Sequence, residues 1–118
     1  MIFAGNINLN IDAFDIQQDI TSTNGGNIVV TSNNLTFNQD SVISSAGLLT
    51  LPALVANGNL TLNSVNDMTL QALTISNGDL VLDAGSGLLD IQGNMTASSN
   101  ISMLAGDLNI NNAAAAVV

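Results

Sequence analysis

Short units of the form apolar-x-apolar recur along the whole chain and are separated by polar turn residues. One set of units returns every 19–21 residues, and two further units fit between most of its members. The units of the first set open at Ile7, Ile28, Leu49, Met68, Leu89 and Leu108. The intervening units open at Phe14 and Ile20, Leu35 and Val42, Leu54 and Leu60, Leu73 and Leu80, and Met95 and Ile101. Three short strands in each turn of about 20 residues are typical of a parallel β-helix.

Period-two alternation within each unit places its two apolar residues on one face, which we expect to point into the solenoid. Residues of the first set should therefore stack as one inward pair of columns: Ile7, Leu9, Ile28, Val30, Leu49, Leu51, Met68, Leu70, Leu89, Ile91, Leu108 and Ile110. The middle residue of a unit should point outward, and it is often the β-branched polar residue threonine. These outward threonines are Thr36, Thr50, Thr61, Thr69, Thr74 and Thr96.

The repeat predicts an all-β fold, a right-handed single-stranded parallel β-helix of five full coils plus one strand. It predicts one repeat domain over 1–112 and an apolar tail or linker over 113–118. A β-sandwich is disfavoured because the spacing leaves too little chain for hairpins. A left-handed hexapeptide helix is disfavoured because it would keep a strict six-residue period, whereas the units of the first set are 19–21 residues apart. A phage-type fibre of intertwined chains is the main remaining alternative.

The chain has 118 residues, a formal net charge of −9, and no Lys, Arg or His. Because nucleic-acid binding depends on cationic side chains that displace phosphate counterions, the composition excludes that class of partner. Electrostatic attraction to anionic lipid is excluded for the same reason. No apolar stretch approaches the ~20 residues that a membrane span requires. Since the chain also has no Cys, no disulfide can form.

Several units follow a Gly-Asn or Gly-Asp turn, and these stretches resemble the filamentous-haemagglutinin-type repeats of large secreted bacterial exoproteins. The best matches begin at Gly58, Gly78, Gly93 and Gly106, and the resemblance extends from Gly5 to about residue 112. It implies secretion through a partner pore, a right-handed β-helical shaft and a role in adhesion. The chain departs from that family in lacking basic residues, a signal peptide and the family's secretion domain.

The chain opening has no positively charged region and leads directly into the repeat, so we expect an excised piece or export by another route. The expected function is that of a structural or adhesive shaft on a cell surface or in a secreted filament. Its expected partners are further copies stacked end to end or the continuation of a longer chain, besides a host or cell-surface receptor or glycan.

Stacked coils should align equivalent turn residues about 4.8 Å apart. One turn position is expected to contain Asp19, Ser41, Asn59, Asp79 and Asn100. Another is expected to contain Asn6, Asn27, Asp67 and Asp107. Such ladders stabilise turns by hydrogen bonding. Because aligned carboxylates also suit Ca²⁺, the candidate metal ligands are Asp19, Asp67, Asp79 and Asp107. The usual calcium repeat Gly-Gly-x-Gly-x-Asp is absent, and no other cofactor is expected.

Four Asn-x-Ser/Thr sequons mark candidate glycosylation sites at Asn34, Asn59, Asn94 and Asn100. A turn Asn, an inward aliphatic residue and an outward Thr also generate this pattern without any glycan.

Enzymatic activity is not expected, although some right-handed β-helices act on carbohydrates. Glycoside hydrolysis needs two carboxylates, one with a raised pKa. The candidate pairs, Asp79 with Asp83 and Asp12 with Asp15, have no basic or aromatic companion to orient a sugar. An ice-binding solenoid is a further alternative, but its paired threonines are missing.

Overall fold

The computed structural model describes residues 1–110, and its regular elements are seventeen short β-strands without any helix in that range. In chain order the strands are β1 (Ile2–Ala4), β2 (Ile7–Asn10), β3 (Ala13–Ile16), β4 (Ile20–Thr23), β5 (Ile28–Thr31), β6 (Asn34–Phe37), β7 (Ser41–Ser45), β8 (Leu49–Leu51), β9 (Leu54–Asn57), β10 (Leu60–Ser64), β11 (Met68–Leu70), β12 (Leu73–Ser76), β13 (Leu80–Asp83), β14 (Leu88–Ile91), β15 (Met95–Ala97), β16 (Ile101–Leu104) and β17 (Asp107–Ile110). The predicted tail over 113–118 lies outside the described residues.

Every third strand pairs in parallel, which gives three sheets. Sheet A has the order β1-β4-β7-β10-β13-β16, sheet B the order β2-β5-β8-β11-β14-β17, and sheet C the order β3-β6-β9-β12-β15. The chain therefore passes from sheet A to sheet B to sheet C in each coil and forms a β-solenoid of about five turns. The predicted all-β solenoid with three strands per coil is confirmed, and the right-handed sense stays a prediction.

The register of sheet B is the one that the sequence predicts. Its six pairing positions join Ile7, Ile28, Leu49, Met68, Leu89 and Leu108 in one continuous column. Sheet C likewise aligns the predicted openings Phe14, Leu35, Leu54, Leu73 and Met95. The repeat therefore specifies pairing along these two sheets, because a slip of one residue would turn the apolar face outward.

The aliphatic interior occupies the space between the three sheets. Leu49, Met68, Leu70, Leu89 and Ile91 are all almost fully buried. The predicted columns become exposed at the last described coil, where Leu108 is 55% and Ile110 47% accessible. The predicted outward threonines lie at half-buried or exposed positions.

Sheet A departs from the prediction at β7. Ser41, Ile43 and Ser45 are buried, whereas Val42 is half-buried on the outer side. The predicted unit opening at Val42 is therefore wrong by one residue. Strand pairing explains why Ile43 rather than Val42 points inward, because Ile43 lies opposite Ile20 of β4. Val42 takes an outward position, while Ile43 is buried, because the register of the whole sheet outweighs one valine.

Candidate functional site

Aspartate and asparagine side chains at the corner before sheet A bind the backbone of the next coil. Oδ1 of Asp40 accepts the N–H of Asn59 at 2.9 Å, and Oδ1 of Asn59 accepts the N–H of Asp79 at 2.8 Å. Oδ1 of Asp79 then accepts the N–H of Asn100 at 3.0 Å. The partners are 19, 20 and 21 residues apart, which is one coil each time. These bonds satisfy turn N–H groups that no strand partner reaches.

The sequence predicts Ser41 in this ladder, and that prediction is wrong. Pairing places Ser41 opposite Leu60, and the serine is only 3% exposed because its side chain lies in the interior. Asp40 takes the predicted ladder position instead. Asp19 begins the series, and its Oδ1 accepts the N–H of Val42 at 2.9 Å. We call the following residues the first turn ladder: Asp19, Asp40, Asn59, Asp79 and Asn100.

The corner before sheet B carries a second, interrupted turn ladder, formed by Asn6, Asn27, Asp67 and Asp107. Oδ1 of Asn6 accepts the N–H of Asn27 at 2.9 Å, and Oδ1 of Asn27 accepts the N–H of Leu48 at 2.8 Å. Oδ1 of Asp67 accepts the N–H of Leu88 at 2.9 Å. Because a leucine side chain has no acceptor atom, the series stops at Leu48 and at Leu88.

Close stacking at this corner requires a glycine. A Cβ on Gly47 would lie 2.2 Å from Oδ1 of Asn27, the atom that accepts the N–H of Leu48. Any larger residue at 47 would therefore displace the ladder side chain. Gly47 thus allows successive coils to approach each other at this corner.

Hydrogen bonding lowers the pKa of one ladder carboxyl. The backbone N–H of Asn100 is the main cause that holds the pKa of Asp79 below its ordinary value of 3.8, and the Ser99 side chain adds to it. A general acid of a glycosidase needs the opposite shift. Asp79 is therefore suited to accepting hydrogen bonds rather than to donating a proton.

The other candidate carboxylates also accept hydrogen bonds. Oδ1 of Asp83 accepts the N–H of Gly85 at 2.8 Å, and Oδ1 of Asp12 accepts the amide of Asn33 at 2.6 Å. Asp15 accepts the amide of Asn38 at 3.1 Å. These bonds give each carboxylate a structural role as a hydrogen-bond acceptor, and the absence of enzymatic activity stays a prediction.

The candidate calcium ligands belong to two different ladders. Asp19 and Asp79 lie in the first turn ladder with other members between them, whereas Asp67 and Asp107 lie in the second with Leu88 between their positions. Within residues 1–110, no group of three or more acidic side chains is close enough to hold a metal ion. One oxygen each of Asp19, Asp67 and Asp79 already accepts a backbone N–H, and calcium binding at these residues stays a prediction.

The four sequon asparagines are all exposed. Asn34 opens β6, and its Oδ1 accepts the Thr36 hydroxyl at 3.4 Å. Asn59 and Asn100 belong to the first turn ladder, and Asn94 immediately precedes β15. Glycosylation at these positions stays a prediction.

Buried serines at the corner after sheet A are the polar residues that the sequence analysis missed. Oγ of Ser22 donates to the carbonyl of Gly26 at 2.7 Å, and Oγ of Ser45 donates to that of Leu48 at 2.6 Å. Oγ of Ser64 donates to the carbonyl of Asn66 at 2.7 Å. The sequence did contain an indication of this burial, because each serine lies two residues after an inward apolar residue and so continues the alternation. These apolar residues are Ile20, Ile43 and Leu62.

A groove of about 550 Å³ lies beside these serines, and Asn63 and Asp83 contribute to its polar lining. The amide of Asn63 donates to Oγ of Ser44 at 3.3 Å, and Asp83 binds Gly85 as described above. Its polar side chains are thus engaged in joining neighbouring coils and turns.

No protein-family model, curated protein or solved structure matches this chain. The resemblance to filamentous-haemagglutinin-type repeats therefore depends on the Gly-Asn and Gly-Asp turns and the strands that follow them. The described residues also contain no helix long and apolar enough to cross a membrane.

Proposed function

We propose that this chain is a mechanical element: the shaft of a secreted or cell-surface bacterial protein that spaces or displays an adhesive surface. The observation that carries the proposal is the continuity of the three sheets, each of which runs through all the coils. Backbone pairing and the turn ladders join every coil to the next, as a stiff spacer requires.

The exposed faces of the terminal coils support stacking on a further copy. At one end Ile2 is 77% and Phe3 43% accessible, and at the other Leu104 is 60% and Leu108 55% accessible. Open strand edges with apolar neighbours are sites for pairing with another chain. Ile7 and Leu108 belong to one column, so sheet B of one copy continues in register onto the next.

Self-association is tested by static light scattering and electron microscopy at low and high salt. The charge of −9 opposes contact between copies, and a Debye length of about 8 Å at physiological salt screens part of that repulsion. We expect filaments whose length increases with salt concentration. The same measurements with Ca²⁺ and with Mg²⁺ at equal ionic strength test whether aligned carboxylates bind calcium specifically between two copies.

Two lysine variants separate end contacts from general charge effects. Leu108→Lys places a cation in the exposed end of a column and should abolish association. Thr61→Lys makes the same charge change on the outer face of β10 and should leave association intact. A monomer at high concentration in all salts contradicts stacking of copies, and equal behaviour of both variants contradicts the assigned contact face.

The mechanical role is tested by pulling the full chain between two reference domains in a force microscope. Each coil of about 20 residues should release roughly 70 Å of contour length when it unravels. We expect unfolding in multiples of this step. Extension at low force without steps contradicts a shaft. Binding of chain-coated beads to bacterial or host cells, beyond that of uncoated beads, tests the adhesive role.

A further inference from the structure

The turn between β4 and β5 combines a reactive dipeptide with an unusually accessible backbone. Gly26 donates its N–H to the carbonyl of Thr23 at 3.0 Å. The two residues between them, Asn24 and Gly25, have φ angles of 56° and 72°. Positive φ at both central positions defines a type I′ turn, for which Asn-Gly is the preferred sequence.

Asn24 and Gly25 are both exposed, and nothing lies within 4 Å of the place where a Cβ on Gly25 would be. Within the described residues, the N–H of Gly25 has no hydrogen-bond acceptor. The nitrogen that could attack the Asn24 side chain is therefore free, and glycine allows the backbone rotation that this attack needs.

We propose that Asn24 is a site of spontaneous deamidation, which makes this turn the first place where the protein ages chemically. The backbone nitrogen of Gly25 forms a bond to Cγ of Asn24 and loses its proton. The bond from Cγ to Nδ2 breaks, and the side-chain nitrogen leaves as ammonia. Water then opens the resulting succinimide at either carbonyl, which yields aspartate or isoaspartate without any oxidant or cofactor.

Two other Asn-Gly pairs serve as internal controls, because their glycine N–H groups are engaged. Gly58 is buried and donates to the carbonyl of Ser76 at 2.8 Å. Gly78 donates to Oγ of Ser98 at 3.1 Å. Attack at Asn57 or Asn77 therefore requires a hydrogen bond to open first, which slows the reaction.

The product has a structural consequence at Asn24. Isoaspartate routes the main chain through Cγ and lengthens the two-residue turn by one atom, so the bond from Gly26 to Thr23 cannot keep its geometry. Aspartate preserves the turn and adds one negative charge. This proposal concerns the chain itself and is independent of the proposed function.

The test follows deamidation at all three sites in the native full-length chain, incubated at mildly alkaline pH and physiological temperature. Peptides from an elastase digest are separated into asparagine, aspartate and isoaspartate forms by reversed-phase chromatography and identified by mass spectrometry. We expect Asn24 to react roughly tenfold faster than Asn57, which corresponds to opening about one hydrogen bond. In urea the three sites should react at similar rates.

A variant tests whether the hydrogen bond of the glycine N–H, rather than the Asn-Gly sequence alone, controls the rate of deamidation. Ser98→Ala removes the acceptor of the Gly78 N–H at an exposed position, so Asn77 should react several-fold faster while Asn24 is unchanged. Native rates at Asn24 that equal or fall below those at Asn57 overturn the proposal. An unchanged Asn77 rate in Ser98→Ala overturns the assigned role of the free N–H.

Discussion

Replacing Leu70 with aspartate tests the solenoid interior most directly. Leu70 is fully buried in β11, where it pairs with Leu51 on one side and Ile91 on the other. An aspartate there would place a carboxylate among aliphatic side chains in a chain that contains no Lys, Arg or His. We expect Leu70→Asp to be unfolded at neutral pH.

The magnitude follows from burial. Loss of the leucine side chain removes about 1.5–3 kcal/mol of apolar burial, and an unpaired buried charge costs several kcal/mol more. Domains of this size have a free energy of unfolding of about 5–15 kcal/mol. The two costs together are therefore comparable with the whole stability. Leu70→Ala should keep the fold and lose about 2–5 kcal/mol, because it creates a cavity without a charge.

The matched control is Thr50→Asp, on the outer face of the neighbouring strand β8. Its register partners, Val29 and Thr69, are uncharged, so this carboxylate faces water and no like charge. Circular dichroism during urea titration measures all three variants, with elastase digestion of the native proteins as a second assay. A soluble Leu70→Asp protein that melts cooperatively and resists elastase would refute the assignment of this column to the core.

Two further variants test polar side chains. Asp79→Asn keeps the acceptor for the N–H of Asn100 but removes the titratable carboxyl group. Because folding lowers the pKa of Asp79, the carboxylate stabilises the folded state above pH 3.8, and this stabilisation is lost as the pH falls through the folded pKa. The thermal midpoint of Asp79→Asn should therefore lie below that of wild type at neutral pH and fall less on acidification, and an identical acid loss in both proteins would contradict the assigned shift. Asp90 has a buried Oδ1 without a partner within the described residues. The variant Asp90→Thr copies the register neighbour Thr69, and its free energy of unfolding in a urea titration should be about 1 kcal/mol higher than that of wild type. A lower free energy of unfolding would show that the carboxylate is satisfied.

The sequence predicts the sheet B columns because three features agree there. Apolar residues alternate with polar ones, glycine or asparagine precedes most strands, and the spacing stays near one coil. Ile28 and Leu49, for example, pair as expected. Local preference and global register then lead to the same structure.

Prediction fails at β7, where the residue pattern and the register disagree. Ser41 and Ser45 occupy inward positions although serine is polar, while Val42 points outward. The hydroxyl of Ser45 is satisfied by the carbonyl of Leu48, which compensates for its burial. Such compensation depends on where the turn carbonyls lie, and hydrophobic patterning does not contain that information. A shift of one residue likewise exchanged Ser41 for Asp40 in the first turn ladder.

The part of the first turn ladder from Asp40 to Asn100 limits repulsion between carboxylates in a chain without cationic side chains. From Asp40 onward, aspartate alternates with asparagine through Asn59, Asp79 and Asn100. Both residue types provide the same side-chain oxygen to the next N–H. Alternation therefore keeps every ladder bond while no two of these carboxylates are adjacent across one coil step of about 4.8 Å.

Asn59→Asp tests this argument, because it places a carboxylate between those of Asp40 and Asp79 while keeping the acceptor. Asn100→Asp is the matched control, since it adds a single neighbouring carboxylate, that of Asp79. We expect the thermal midpoint at low salt to fall about twice as far for Asn59→Asp, in proportion to the number of like-charged neighbours. The Debye length shrinks from about 8 Å at physiological salt to about 3 Å at 1 M, below the coil spacing, so high salt should remove most of the difference. Equal, salt-independent midpoints in both variants would show that repulsion between stacked carboxylates does not explain the alternation.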